Sequence, residues 1–462
     1  MLRKEMIVEV SIILVVGVAI GVVSTVHRNH NDNETLSPQM KATLSSVNST
    51  DPKEFISKAI LAAEEAVKKF FNYSDSLIVQ VKNNNLTKMA LNDSSYSDVG
   101  DSELRNINDH KNDLRTWLNA VISYQQSCLD GFEYDNNMKE TMQKGIIDAH
   151  ELTGNALTIV TKLSDILSKF GIQLNNTNSC RLHSVEKNVY PSWIDNSNLK
   201  PNVVVAKDGN GQYKTIGAAL AAAPKNSNIR HVIYIKAGIY DEYTTVDKQY
   251  TNIMMYGDGP RKTIVTGCKG VKNGGGITTW QTATFSAIGN GFIAKSMGFQ
   301  NTAGPEKHQA VALRIQSDKS AFFNCRIDAY QDTLYNQANR QFFCNCVISG
   351  TIDFIFGDSP TVIQNSLIID FIDENTGTII QNCKIVPEQK LFNDRFKIAT
   401  YLGRPWKKFS TTIIMESTLG NFIKPEGWML FEGLDKVNYE ETIYYAEYKN
   451  RGPGANLNAR VN

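Results

Sequence analysis

Hydrophobic and polar positions divide the chain into stretches with different periods. From Val10 to Val26 the run VSIILVVGVAIGVVSTV is apolar apart from Ser and Thr, behind Arg3 and Lys4 and ahead of His27 and Arg28. That length lies at the short edge of a membrane span and beyond most signal-peptide cores, so residues 1–30 are expected to be a signal anchor or a signal peptide. A buried soluble helix is the alternative. Either membrane reading sends the rest of the chain into the secretory pathway. Further on, Asp51-Pro52-Lys53-Glu54 offers a helix start, with Asp as cap, Pro in the first turn and Glu three residues after the cap. Leu, Ile, Val and Ala recur at spacings of three and four through 52–71, 103–127 and 137–170, which predicts an α-helical bundle over residues 34–175. Residues 176–201 are polar and aperiodic and read as a linker.

From residue 202 the pattern changes to short β-rich runs punctuated by Gly, Asn and Asp, such as HVIYIKAG, NIMMYGDG and KTIVTG. A repeat runs through them. Asn324-Cys-Arg-Ile327, Asn345-Cys-Val-Ile348, Asn365-Ser-Leu-Ile368 and Asn382-Cys-Lys-Ile385 share one template, with their asparagines 21, 20 and 17 residues apart. Short strands repeating at about twenty residues, rich in β-branched side chains, predict an all-β solenoid of the parallel β-helix kind for 202–462. Equivalent positions then stack about 4.8 Å apart. Cys325 and Cys346 are equivalent positions in successive coils, which brings them within disulfide reach and predicts that bond.

Composition narrows the function classes. Hydrophobic residues make up 42% of the 462 and charged residues 21%, enough apolar surface for sizeable cores, which excludes disorder as the main state. Residues 1–200 hold 20 Lys+Arg against 24 Asp+Glu, and residues 201–462 hold 28 against 23. So slight a basic excess tolerates a polyanionic partner but is no nucleic-acid footprint. Cys344-x-Cys346 lacks a second dyad and the seven histidines form no ligand spacing, so no metal site is expected. Sequons at Asn33, Asn48, Asn72, Asn85, Asn92 and Asn175 all precede residue 200 and agree with glycosylation in the secretory route. No G-x-S-x-G elbow is present, which argues against a serine esterase. Gly257-Asp-Gly-Pro-Arg-Lys-Thr263 resembles a phosphate loop only faintly and reads as a turn.

The repeat also locates the candidate chemistry. Asp332 and Asp353 are 21 residues apart, the local repeat length, so both carboxylates are expected on one face in adjacent coils. Gln309 lies 22 residues before Gln331 and adds a third level. Two carboxylates stacked in this way do not both ionise without a cation or a shared proton, so one pKa should rise, the arrangement of an acid beside a base or nucleophile. Ordinary turn aspartates and a calcium site are the competing readings. Arg404, in Leu402-Gly-Arg-Pro-Trp406, weakens both by offering a fixed countercharge.

Residues 202–461 resemble the catalytic domain of plant pectin methylesterases (pectinesterases). The likeness rests on Gly238-Ile-Tyr240-Asp-Glu242, Gln309-Ala-Val-Ala-Leu313, Gln331-Asp-Thr-Leu334, Asp353-Phe-Ile-Phe-Gly357 and Leu402-Gly-Arg-Pro-Trp406, five motifs in order. The helical part resembles the inhibitor-like pro-region of such enzymes, most of all the pollen-type, membrane-anchored members. The resemblance implies a right-handed β-helix that hydrolyses the C6 methyl esters of homogalacturonan in the cell wall, with no cofactor. It implies Asp353 as nucleophile, Asp332 as acid and then base, Gln309 and Gln331 as oxyanion donors, and Arg404 as the residue that orients Asp353. It further implies substrate contacts from Thr284, Gln309, Arg404, Trp406, Phe356, Tyr335 and Trp428. Esterified homogalacturonan is the implied partner, together with the chain's own pro-region or inhibitor proteins.

Several departures from the family pattern stand beside these matches. The helical region lacks the paired cysteines near its start and a partner for Cys128, and so reads as shortened. The linker carries Cys180-Arg-Leu-His183 where a basic processing tetrapeptide is expected. The interval from Asn365 to Asn382 is contracted, and relatives continue with a further stretch beyond Asn462, so the catalytic part reads as C-terminally truncated. These features keep two other functions open: a catalytically impaired pectin-binding or inhibitor-type protein, and another β-helix pectinase such as a polygalacturonase.

Overall fold

An asparagine adopts a left-handed backbone more readily than other residues with a side chain, and the repeat uses that property once per coil. Asn324, Asn345, Asn365 and Asn382 have φ of 51°, 55°, 52° and 50°. Each sits between two strands: Ser320–Phe323 and Arg326–Asp328 around the first, Gln341–Cys344 and Val347–Gly350 around the second. The next two coils follow with Thr361–Gln364 and Leu367–Asp370, then Ile379–Gln381 and Lys384–Pro387. The isoleucine three residues after each asparagine points inward. Ile327 pairs with Ile348, Ile348 with Ile368, and Ile368 with Ile385, a ladder through the core in which all four are buried.

The computed structural model describes residues 199–461 apart from 274–275, 371–378, 407–409 and 430–441, and helical positions scattered between 115 and 150. The chain divides into two units, Met1–Lys187 and Asn188–Asn462. In the first, the described positions are helical, at 119–126 and 139–144 among others, with Ala120, Tyr124, Met142 and Ile146 buried. Apart from position 129, these fall within the predicted helices 103–127 and 137–170. The apolar run 10–26, the helix 52–71, the six sequons and nearly all of the linker lie outside the described residues. No helix among the described residues is long and apolar enough to cross a membrane.

The second unit is a right-handed parallel β-helix. Its described strands form sheets of ten, eight and five strands, every pairing parallel and each sheet built from successive coils. The 17-residue interval between Asn365 and Asn382 does not break the register, since Ile363 still pairs with Ile380 and Ile368 with Ile385. A stack of phenylalanines fills the interior, with Phe285, Phe292, Phe299, Phe322 and Phe343 all buried and the Phe322 and Phe343 rings stacked at 4.8 Å. Sequence pattern alone did not indicate the short helix Ile216–Ala221. Thr215 caps it, and the Glu242 carboxylate accepts from the Ile216 and Gly217 backbone N–H groups at 2.9 and 3.0 Å. The acidic residue of the Gly238–Glu242 motif is therefore a helix anchor.

The turn residues after the asparagines bond one another along the axis. The Cys346 N–H donates to Ser366 Oγ at 3.0 Å, Ser366 N–H to Cys383 Sγ at 3.4 Å, Cys383 N–H to Ser417 Oγ at 3.0 Å, and Ser417 N–H to Asn450 Oδ1 at 3.0 Å. Buried turn amides are satisfied in this way by side chains of the next coil. The same register stacks Cys325 on Cys346, because Arg326 pairs with Val347. The predicted Cys325–Cys346 disulfide is nevertheless absent, and both residues are free thiols. Cys325 donates to the Phe323 carbonyl at 3.5 Å and Cys346 to that of Cys344 at 3.4 Å. Burial, reinforced by the neighbouring Cys325, pushes the Cys346 thiol well above its ordinary pKa.

Candidate active site

The candidate carboxylates sit where the chain crosses from the eight-stranded to the five-stranded sheet. Strand Leu334–Asn336 pairs with Ile355–Phe356 in the register Leu334 to Ile355 and Tyr335 to Phe356, so Asp332 and Asp353 occupy equivalent positions one coil apart. The Asp332 N–H donates to the Ile352 carbonyl at 3.0 Å and Leu334 N–H to that of Phe354 at 2.9 Å. Both aspartates have positive φ, 63° for Asp332 and 48° for Asp353, which a short polar side chain tolerates. That conformation sets each carboxyl at the apex of its turn.

Two close approaches hold these turns. Thr333 Oγ1 lies 3.0 Å from the Tyr330 carbonyl and 3.1 Å from that of Ser349. A Cβ on Gly350 would overlap Phe354 Cβ and Thr333 Oγ1 and stand 2.8 Å from the Tyr330 carbonyl oxygen. Gly350→Ala is therefore expected to cost about 1–3 kcal/mol through overpacking, read as a lower melting temperature. Activity should fall with it, because the atoms displaced belong to both aspartate turns. An alanine variant with unchanged melting and turnover would show that the turns yield without cost. Gly357, at φ 124°, has the Asn336 backbone where a Cβ would go.

Electrostatics separates the two carboxyls. Arg404 reaches Asp353 with both arms of its fork, Nη2 to Oδ2 at 2.7 Å and Nε to Oδ1 at 3.2 Å, with only 15% and 10% of the two side chains exposed. This charge-assisted, bidentate geometry fixes the Asp353 carboxylate in one orientation. Among the described residues Asp332 has no such partner in direct contact. Burial first, and then the Asp353 charge, raise its pKa well above the ordinary carboxylate range, and the Arg404 charge offsets them only in part. The site thus favours the protonated form of Asp332 beside the arginine-held Asp353. That is the separation expected for an acid beside a nucleophile or base.

The remaining candidates divide between groove and core. Gln331 and Gln309 are half-buried on successive turns, the Gln331 carbonyl accepting from Ala310 N–H at 3.1 Å. Tyr335 and Phe356 stack face to face at 4.3 Å on the outer side of the five-stranded sheet, and Trp406 is 49% exposed. Two expected substrate contacts need correction. Thr284 is fully buried, and its hydroxyl donates to the Gln300 carbonyl at 3.0 Å, so its side chain belongs to the coil interior. Trp428 is buried in the main core with its ring 4.7 Å from that of Tyr445, a packing role that spacing in a solenoid does not distinguish from a sugar platform. Sequence reasoning also missed Arg314. It continues the Phe356–Tyr335 stripe by one strand and is buried beneath the Trp280 ring, 4.6 Å from its centroid, with Nε donating to Gln337 Oε1 at 2.6 Å. The only available signal was its place next to the Gln309–Leu313 motif.

Comparison with known proteins agrees with this geometry. The family model described as Pectinesterase matches residues 202–371 and 370–462, and that described as Plant invertase/pectin methylesterase inhibitor matches residues 33–159. The chain is 37% identical to Pectinesterase 4 of Arabidopsis thaliana over 558 residues, an alignment covering 100% of this chain and 94% of that protein. It is 39% identical to Probable pectinesterase/pectinesterase inhibitor 21 of Arabidopsis thaliana over 457 residues, covering 90% and 67%. Among solved structures, pectin methylesterase from carrot superposes with a TM-score of 0.55 at 46% identity, covering 58% of this chain and 88% of that one.

Proposed function

We propose, from the premise that this chain belongs to the pectinesterase family of carboxylic ester hydrolases, that it removes methyl groups from homogalacturonan with Asp353 as nucleophile and Asp332 as acid and base. The observation that carries this reading is the division of labour at the two aspartates, an arginine fork on one and a buried, raised pKa on the other. In the first half-reaction Asp353 attacks the C6 carbonyl carbon, and the Gln309 and Gln331 amides donate to the oxyanion that forms. Losing one such donor costs roughly 3 kcal/mol of barrier. Collapse breaks the bond to methoxide, which takes the Asp332 proton and leaves as methanol. Asp332, now ionised, accepts a proton from water as the water attacks the acyl-enzyme. Asp353 departs as carboxylate, and the galacturonate carboxyl is free. Tyr335, Phe356 and Trp406 offer apolar faces for the sugar rings.

The wider setting belongs to the same proposal. The apolar run 10–26 would direct the chain to the secretory pathway, as anchor or cleaved signal, with the sequons before residue 200 glycosylated and the β-helix delivered to the cell wall. The match of residues 33–159 to an inhibitor family supports a pro-region able to act on this groove or on a relative's.

The deciding measurement is methanol released from highly esterified pectin alongside reducing ends. Methanol without new reducing ends is expected, reducing ends without methanol would point to glycosidic cleavage, and neither would mean a silent binding protein. Arg404→Lys should lower turnover on this substrate by about tenfold or more, because an ammonium cannot reproduce a planar fork that both orients and holds the Asp353 charge. A lysine variant with wild-type kcat would reduce Arg404 to a packing role.

A further inference from the structure

The ester chemistry leaves one edge of the eight-stranded sheet unused, the corner at which each coil arrives from the ten-stranded sheet. This corner carries the side chains of Asn345, Asn365 and Asn382, all exposed and set one above another at the coil spacing of about 4.8 Å. Asn382 Nδ2 donates to Asn365 Oδ1 at 2.8 Å, so these two amides are joined along the axis. Beside them, on the outer face of the eight-stranded sheet, the register sets Val347, Leu367, Lys384 and Thr418 in one row, and Arg451 closes it by bridging to Thr418. Val347 and Leu367 are half-buried and Lys384 is exposed. Arg451 folds back along the row, Nε donating to Thr418 Oγ1 at 3.1 Å and Nη2 to Asn382 Oδ1 at 3.2 Å, which brings its charge to the level of Lys384. The three asparagines, Val347, Leu367, Lys384 and Arg451 line an open groove of about 600 Å³. Among the described residues that line it there is no carboxylate. Glu416, at the position of Asn382 one coil further on, is engaged by Gln381 Nε2 at 3.1 Å.

We propose that this groove is a second, non-catalytic site that holds an acidic galacturonan chain, separated from the aspartate turns by the width of the eight-stranded sheet. That width is one strand of the coil, Val347–Gly350, or roughly 13 Å. The choice of galacturonan rests on the pectinesterase reading, whereas the groove and its charge do not. An asparagine amide both donates and accepts, which suits sugar hydroxyls, and the amides repeat at close to the interval of a 1,4-linked uronan. The half-buried Val347 and Leu367 give the apolar face of a pyranose a surface to lie on. Lys384 and Arg451 meet carboxylates, and the two bonds that already hold the Arg451 guanidinium leave it less freedom to lose on pairing. A fully esterified chain offers these cations no charge, so the groove selects for free carboxylates. A polymer held here leaves the catalytic groove open, so the protein stays at high local concentration on its matrix while it turns over neighbouring chains.

To test this, a de-esterified oligogalacturonate is titrated at low salt into the full chain and into a Lys384→Glu, Arg451→Gln variant, and methanol release from a short, fully esterified oligomer is measured on both. The variant should bind one oligomer fewer per chain, with kcat and KM on the esterified oligomer within twofold. Lys384→Glu alone changes an exposed side chain and leaves the Arg451 bonds in place, so it decides the matter if the double variant folds poorly. That single variant should bind about tenfold more weakly at this site. Salt above about 0.1 M should remove most of the difference, because exposed charges are then screened. Equal stoichiometry and affinity in the unaltered chain and both variants would overturn the proposal. A polyglutamate of matched charge that displaces the oligomer equally well would also overturn it, since a charged patch without sugar recognition behaves in that way. A kcat that falls in step with binding would do the same, because the groove would then belong to the catalytic site. If the unaltered chain releases no methanol at all, the pectinesterase reading fails, while the stoichiometry still decides the groove.

Discussion

Asp353→Asn is expected to lower methanol release from esterified pectin by at least about four orders of magnitude while leaving the β-helix folded and able to bind pectin. Removing the nucleophile of a covalent mechanism abolishes the acyl-enzyme route, and losses of that size or larger are the rule. The substitution is nearly isosteric, and asparagine accepts the positive φ of 48° found at this position as readily as aspartate does. It does remove the charge that the Arg404 fork grips. Breaking a buried ion pair costs about 3–5 kcal/mol, and this pair should cost less, because both side chains retain some solvent contact. A modest fall in melting temperature is thus predicted beside the loss of turnover. Methanol release above about one per cent of the unaltered rate would remove Asp353 from the nucleophile role, because an amide cannot take it over.

What could be seen in the sequence beforehand was what repeats. The Asn-Cys-x-Ile template gave the coil period, and the structure explains it: asparagine supplies a left-handed turn and isoleucine an inward rung. The same period placed Asp332 beneath Asp353, because a separation equal to one coil has no other meaning in a solenoid. Features that depend on direction and not on spacing were not legible. Trp428 and Tyr335 are both aromatic residues in a β-helix, yet one is buried against Tyr445 and the other lies on the outer face against Phe356. Thr284 sits one residue before a strand, and only its hydrogen bond to Gln300 shows that it points inward. The cysteine pair failed for a similar reason. Register stacks the two residues, but spacing does not encode whether their sulfurs bond.

Asp332→Asn should combine a large loss of activity with a gain in stability at neutral pH. The activity loss follows from two duties, protonating methoxide and then activating water. General acid–base catalysis contributes about 10²–10⁴-fold per step, and an amide serves neither, so a fall of at least about 10³-fold is expected. The stability gain follows from the proton. In the folded chain Asp332 holds its proton well above the usual range, because burial and the Asp353 charge oppose ionisation. In the unfolded chain it releases the proton near pH 3.9. Between those two points the folded state binds more protons than the unfolded one, so stability declines as pH rises through the window. Below about pH 4 the carboxyl is protonated in both states and this decline has not begun. Asparagine is neutral throughout and of nearly the same shape, so it removes that decline. The variant and the unaltered chain should therefore have similar urea midpoints below pH 4 and diverge as pH rises, with the variant the more stable at pH 7. Parallel pH profiles would mean that Asp332 is not held protonated by the fold, and the acid role would fall with it. Divergence combined with lost turnover would show that the fold keeps a destabilising buried carboxyl because the ester chemistry needs its proton.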